Sequence, residues 1–383
     1  NMIVNTFIPK YMEKFKCIGA ECTDTCCAGW DINIDENSLE RYKNSTGALK
    51  SLVEGKFLTG DKKDDFFNAG YMILKDGSRC PFLNENMLCD IHGAVGEENL
   101  CITCKSYPRV FNIVDGIYEK SALASCEEIC RLALMNKEKM EFVEAEEELD
   151  EGNIEIRRII DTEAFAGTES MIQYFWEMRI SSINIIQCRD YSIEERLNIL
   201  KGFYGEIEKL RLEEDFESIE DIFDESTNGT LNYQKYLQER IKVDKKFSFA
   251  IGDDDLIAMI RSPRLKKYAE DYKNNILLNI EEEAFRDLSE KVDAILKEND
   301  YIVENYLVNQ IFKDLIPFNK GEDMTASVNV LINTYKLIKE YLKGRIYKSK
   351  GRIMAEEVVG VIQAISKDLE HNKVLNEIIN YKA

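Results

Sequence analysis

The chain has 383 residues, enough for two domains, and its 71 acidic against 50 basic side chains leave a net charge of −21. That excess argues against a nucleic-acid partner, whose phosphates require a basic face, and against binding to an anionic membrane surface. The composition, 44% apolar and 32% charged, is that of an ordinary globular chain, and no window has the length of a membrane span.

The opening Asn1–Lys10 (NMIVNTFIPK) has no basic segment ahead of an apolar core, so no secretory signal is read. Met2 is expected to be the native start, with Asn1 an addition before it. The expected compartment is therefore the reducing cytoplasm, where cysteines serve metal or redox chemistry more often than disulfides.

Ten of the eleven cysteines fall between Cys17 and Cys130. The first group is Cys17, Cys22, Cys26 and Cys27. Trp30–Ile34 alternates as a short strand would, and Asp35–Ser38 opens a helix over Leu39–Lys43. Tyr71–Leu74 reads as a strand before the Asp76-Gly77 turn. Asn84-Glu85-Asn86 is expected to fold back so that Cys80 and Cys89 lie close together. Cys101 and Cys104 have the spacing of a metal-ligand pair. Val110–Val114, Asp115-Gly116 and Ile117–Lys120 form the clearest hairpin in the chain. Ala124–Lys139 is helix-prone, with Cys126 and Cys130 four apart on one face.

Glu141–Glu151 (EFVEAEEELDE) carries seven acids in eleven residues and reads as a solvated helix or linker, with a dock for a basic partner as the functional alternative. The domain boundary is placed here. Beyond about residue 153 the pattern is helical. Ser192 and Glu195 form a capping box, Ser262-Pro263 starts a helix, and further helices fit Glu283–Lys297, Tyr301–Leu315, Met324–Tyr347 and Ala355–Glu370. The expected fold is mainly α: a cysteine-rich N-terminal metal-binding domain with short β-hairpins over residues 2–140, an acidic linker or helix over 141–152, and an α-helical domain over 153–383.

Soft thiolates at such short spacings suit zinc or iron–sulfur binding. The adjacent pair Cys26-Cys27 cannot easily aim both sulfurs at one tetrahedral zinc, so it suits a bridged cluster or two centres sharing a loop. Cys130 and Cys188 sit in helical patterns and read as small buried apolar residues. His92 could ligate or hydrogen-bond, and His371 reads as inert on a polar helix end. Radical-enzyme spacing fails at Gly29, no glycine-rich nucleotide loop follows a strand, and two histidines without suitable neighbours argue against a hydrolase.

Phe15-Lys16-Cys17-Ile18-Gly19, Cys22, Cys26-Cys27-Ala28-Gly29-Trp30, Cys80-Pro81-Phe82-Leu83, Cys89-Asp90-Ile91-His92, Leu100-Cys101-x2-Cys104 and Tyr107-Pro108-Arg109 together resemble the flagellin lysine-N-methylase family. Ser125-Cys126, and Asn305–Asn309 leading to Pro317-Phe318, fit it as well. Part of the series is also similar to the broader zinc- or iron-chelating cysteine-cluster family. The resemblance implies methylation of flagellin lysines with S-adenosylmethionine as donor and a cysteine-held iron–sulfur cluster, 4Fe–4S in type, with zinc as the alternative. The ligands it implies are Cys22, Cys26, Cys27, Cys80, Cys89, Cys101, Cys104 and Cys126. Cys130 falls where a non-cysteine is expected. The polar set Glu304, Asn305, Tyr306 and Asn309 inside an apolar helix, together with Arg109, supplies candidates for donor or substrate contacts. A non-catalytic, metal-stabilised partner-binding protein is the competing reading, and an electron-transfer module is a third.

Overall fold

The computed structural model describes residues 1–61, 64–237, 241 and 245–382. Among the described residues it is mainly helical, with eight short strands in two sheets and a further strand, Asn319–Glu322, outside them. The strands are β1 Met2–Pro9, β2 Asn33–Ile34, β3 Phe57–Thr59, β4 Gly70–Met72, β5 Arg109–Val114, β6 Ile117–Ala122, β7 Phe142–Leu149 and β8 Ile156–Ile160. One sheet runs β7-β1-β6-β5-β8 and the other β2-β4-β3. The expected hairpin forms between β5 and β6, with Arg109 opposite Ala122. Its two turn residues, Asp115 and Gly116, take φ values of 48° and 78°, the left-handed pair that a two-residue hairpin turn requires.

The acidic stretch expected as a helix or linker is instead the edge strand β7. It pairs antiparallel with β1 along its whole length, from Phe142 opposite Pro9 to Leu149 opposite Met2. Glu144, Glu146 and Glu148 face solvent, while Val143, Ala145, Glu147 and Leu149 alternate on the more buried face. Glu147 is held there by Lys120 at 2.6 Å. Charges on an exposed edge discourage pairing with another chain. They also hide the period-two pattern, because Glu147 makes the inner face partly acidic too.

The helices follow their sequence signals. Ser192 Oγ accepts from Glu195 N at 3.2 Å and Glu195 Oε2 from Ser192 N at 2.8 Å, closing the capping box. Ser262 caps the Pro263–Tyr272 helix through Leu265 N at 3.3 Å. The later helices span Glu282–Glu298, Asp300–Lys313, Met324–Lys348 and Ala355–His371. One large apolar core joins them to β1, β6 and the Glu127–Leu134 helix. Inside it, Arg189 and Arg196 both bind Glu304, at 2.8 and 2.9 Å, and Arg179 binds Glu119. A second, smaller core holds Ile32, Ile34, Leu39, Tyr42 and Phe82 together with Cys80 and Cys101. Among the described residues no helix is long and apolar enough to cross a membrane.

The two cores meet along the Ala355–His371 helix. Lys367 Nζ donates to Asp24 Oδ1 at 2.7 Å and to the Thr25 carbonyl at 2.9 Å. Gln363 Nε2 donates to Asp24 Oδ2 at 3.0 Å and to the Ser125 carbonyl at 2.8 Å. Arg264 adds contacts to Thr23 and Glu127. The loop carrying Cys22, Cys26 and Cys27 is thereby clamped onto a helix more than three hundred residues later.

Candidate functional site

Backbone hydrogen bonds gather the cysteines. Cys80 N donates to the Cys27 carbonyl at 2.8 Å, and Leu83 bridges to Cys89 across the turn that Asn84 organises through Asn86 N and Leu88 N. The expected fold-back of Cys80 toward Cys89 is therefore present. Cys101 caps the short Ile102–Ser106 helix, with Asp35 Oδ1 accepting from Ile102 N at 2.8 Å, and its sulfur lies 3.5 Å from that of Cys104. Cys126 caps the Glu127–Leu134 helix, whose Glu127 accepts from Thr23 N at 2.8 Å and so draws the Cys22 loop to it. Gly29 takes φ +92°, and a Cβ there would meet Lys367 Cε at 3.1 Å; only glycine fits this approach without strain.

The thiols fall into two adjoining sets. Cys27, Cys80, Cys89 and Cys101 pack in or against the smaller core, with Cys104 beside Cys101. Cys22, Cys26 and Cys126 act on one another electrostatically, with exposed Cys17 at their margin. Cys26 and Cys27 are the seam. Burial pushes Cys22 and Cys80 up to about 12 and Cys126 up to about 11. Cys27 is held down, to about 7, first by the Cys26 thiol donating to it and then, against burial, by Thr25 and the Lys367 ammonium. Cys104 is raised, and Cys101 lowered, by the hydrogen bond they share. Among the described residues no three His, Cys, Asp or Glu side chains close tightly enough to enclose a metal ion. The donor chemistry, eight grouped thiols, fits an iron–sulfur cluster or zinc. Cys130 stands apart: it is buried and donates to the Ala124 carbonyl at 2.9 Å.

Beside the second set lies a packed aromatic and polar cluster. The Trp30 ring stacks on His371 at 4.3 Å and on Tyr107 at 5.6 Å. Ser125 Oγ joins Tyr107 Oη at 3.0 Å and His371 Nε2 at 3.2 Å. Burial drives His371 down to about 3, with Arg157, Lys367 and Lys313 pushing the same way, so the imidazole stays neutral. His371, read from the sequence as inert, is thus part of this cluster; no local signal marks it, because the fold alone brings position 371 to position 30. Next to it the Glu370 carboxylate is buried, with the Ser125 hydroxyl in hydrogen-bonding reach and Lys313 Nζ 3.7 Å away. Burial raises its pKa, and the Lys313 charge opposes that rise.

The remaining sequence candidates lie in different surroundings. Tyr306 is buried against Glu370 and Cys130. Asn309 Oδ1 accepts from Tyr11 Oη at 2.5 Å and its Nδ2 donates to the Ala122 carbonyl at 2.9 Å, tying β6 to the Asp300–Lys313 helix. Asn305 Nδ2 donates to the Asn136 carbonyl at 2.8 Å. Glu304 is engaged by its two arginines. Arg109 lies over the Phe15 ring at 5.0 Å and lines an open cleft of about 530 Å³ with Glu97, Lys105 and Asp150.

Comparison with known proteins places this arrangement. Residues 179–381, more than half the chain, match the family model described as the FliB lysine N-methylase C-terminal domain. The chain is 20% identical to a protein named lysine-N-methylase from Salmonella typhimurium LT2, over 95% of this chain and 91% of that one. It is 19% identical to its namesake from Salmonella choleraesuis over the same shares. A protein of Salmonella muenchen named flagellar biosynthetic protein FliU is 26% identical over 34% of this chain and 78% of its own length. No solved structure matches. The matched region contains the helix that clamps the cysteine loop and carries Glu370 and His371, and on that match the chain belongs to the FliB lysine N-methylase family and is a lysine N-methyltransferase.

Proposed function

We propose that this methyltransferase acts on lysines of flagellin in the cytoplasm, takes the methyl group from S-adenosylmethionine, and holds an iron–sulfur cluster on its cysteines. The observation that carries this reading is the clamping of the Cys22–Cys27 loop, and of Ser125 beside Cys126, onto the Ala355–His371 helix of the matched region. The flagellar name of the Salmonella muenchen relative supports flagellin as the acceptor. The family match removes the non-catalytic alternative.

Cys22, Cys26, Cys27, Cys80, Cys89, Cys101, Cys104 and Cys126 would hold the cluster, with Cys130 left to packing. Once bound, a cluster supplies one-electron exchange and Lewis-acidic iron, while S-adenosylmethionine supplies a methyl group on a sulfonium. The chain's own residues must do the rest. An ammonium has no lone pair, so the site must desolvate the lysine or take its proton before transfer. In this reading the stacked Trp30, Tyr107 and His371 rings border the reacting groups and keep water from that step. In this reading Tyr306 touches the reactants, Asn305 and Asn309 hold the wall behind them, and Arg109 binds a carboxylate in its cleft. Residues 2–140 form the cluster-bearing unit, 141–152 its edge strand, and 153–383 the helical unit.

The test is anaerobic purification followed by measurement of iron, zinc and acid-labile sulfide per chain, then methyl transfer to unmethylated flagellin. Iron with matching sulfide and methylated flagellin are expected. Zinc without sulfide, in protein never exposed to air, would make the metal structural and overturn the cluster.

A further inference from the structure

A cleft of about 770 Å³ opens where four helices meet: the first turns of Ile193–Leu212 and Asp300–Lys313, the last turn of Glu282–Glu298, and the middle of Met324–Lys348. That volume suits a small ligand or an extended side chain. None of the cysteines and none of the Trp30 cluster lines it. Five acids do, Asp190, Glu194, Glu195, Asp293 and Asp300, against Arg189 and Lys297. Several of these charges are already engaged. Glu195 closes the capping box with Ser192, Glu194 and Asp293 share Lys339 at 3.6 and 2.9 Å, and Arg189 is held by Glu304. Asp300 places one oxygen 3.3 Å from Arg196, and Asp190 has no ion pair among the described residues. The rim therefore stays negative.

An acidic rim alone would mean only a solvated surface, but the inner wall carries a second feature. Asn198 is 6% exposed and Tyr335 4%, and both line the cleft. Neither the Asn198 amide nor the Tyr335 hydroxyl hydrogen-bonds to any described residue. Polar groups this deeply buried are nearly always paired within the protein, and an exception calls for a partner. Burial raises the pKa of Tyr335, and Glu194 and Asp293 add to the rise, so the phenol stays neutral and keeps its oxygen as an acceptor. Next to it the chain binds a lysine of its own: Lys339 lies over the Tyr335 ring at 5.7 Å while pairing with Glu194 and Asp293.

We propose that this cleft is a lysine-binding exosite, in which Asn198, Tyr335 and Asp300 receive the ammonium of an acceptor-polypeptide lysine other than the one being methylated. An ammonium has three N–H donors and no acceptor, so it matches an amide oxygen, a phenol oxygen and a carboxylate. Leu237 and Leu296, which also line the cleft, give its methylene stem apolar contact. The acids turn away carboxylates and phosphates. Lysine methylation itself brings lysine-bearing polypeptide to this chain, so the exosite requires neither flagellin nor a cluster. Holding a second lysine raises the effective concentration of the first at the reacting groups.

The experiment is the binding of a fluorescein-labelled decalysine peptide, read by fluorescence anisotropy without methyl donor, to wild type, Asn198→Leu, Tyr335→Phe and the double variant. A chain of net charge −21 attracts any polycation, but these substitutions leave the charge unchanged, so a weaker complex reports the cleft rather than the surface field. Neither substitution removes a hydrogen bond within the protein, and melting temperatures are expected to stay near wild type. Tyr335→Phe is expected to weaken binding about threefold and the double variant about tenfold. In methyl transfer to poly-L-lysine the double variant is expected to raise KM by a similar factor with little change in kcat. Equal affinity in all four proteins overturns the exosite. So does displacement of the peptide from wild type by spermidine at lower concentration than by unlabelled decalysine, which would make the cleft a free-polyamine site. If the double variant does not fold, Tyr335→Phe alone decides. Failure to methylate flagellin would sink the acceptor proposed above and leave this binding result standing.

Discussion

Burial changes what single residues do. His371 is neutral in the folded chain down to about 3, whereas the unfolded imidazole takes up a proton near its ordinary 6.5. Between those values the unfolded chain binds a proton that the folded chain refuses. Stability is therefore full above about pH 6.5 and falls as pH drops toward 3, by at most about 1.4 kcal/mol per pH unit. His371→Gln keeps a hydrogen-bonding group beside Ser125 and removes the titration, so its melting temperature should fall less steeply than wild type between about pH 6.5 and 4.5. Carboxylates titrate in both proteins, so the difference between the two curves is the measurement; parallel curves would show that His371 is not held neutral. No local pattern around position 371 hints at this role. The cysteines were legible because their spacing is local, and a ligand motif survives in one dimension. His371 is an ordinary residue in an amphipathic helix, and its meaning comes from Trp30 and Ser125, which lie far away along the chain.

At the scale of elements, helices were legible and one strand was not. Capping residues and apolar spacing act within a few positions, so the Ser192 box and the Ser262-Pro263 start could be read directly. Strand β7 owes its existence to β1, more than 130 residues earlier, and its acids follow from its place at the sheet edge. The Ala355–His371 helix shows the same dependence in reverse, since its buried face carries Gln363 and Lys367, which its sequence alone would assign to solvent. Lys367 and Asp24 have side chains 3% and 13% exposed. Removing one partner leaves the other buried and uncompensated, which costs about 3–5 kcal/mol. Lys367→Ala should lower unfolding stability in urea by about that amount. It should also speed labelling of Cys22, Cys26 and Cys27 by a thiol reagent under native conditions, because the loop loses its clamp. A variant with normal stability and unchanged labelling would mean that the clamp contributes nothing.

Among the described residues two cores of very unequal size hold most of the buried apolar side chains, with a third, minor cluster of Val4, Phe111 and Leu149 in the sheet. The larger runs from β1 through the late helices, whereas the smaller contains eleven buried side chains, two of them cysteines. A core that small gives little independent stability, and small units of this kind are usually held by disulfides or metal. All eleven cysteines of this chain are free thiols, so in the proposed holoenzyme the metal would hold the smaller core together. Stripping it, by oxidation and a chelator without air-driven disulfide formation, should therefore unfold one part before the other. Hydrogen exchange would report it: amides of residues 31–107 should lose most of their protection, while those in the Ile193–Leu212, Asp300–Lys313 and Met324–Lys348 helices keep theirs. The Ala355–His371 helix lies between the two and should lose protection only where Gln363 and Lys367 release the cysteine loop. If the late helices lose protection together with residues 31–107, the two cores fold as one unit and the thiols do more than hold their own region. If neither part changes, the smaller core stands without metal, and the grouped thiols are there for chemistry alone.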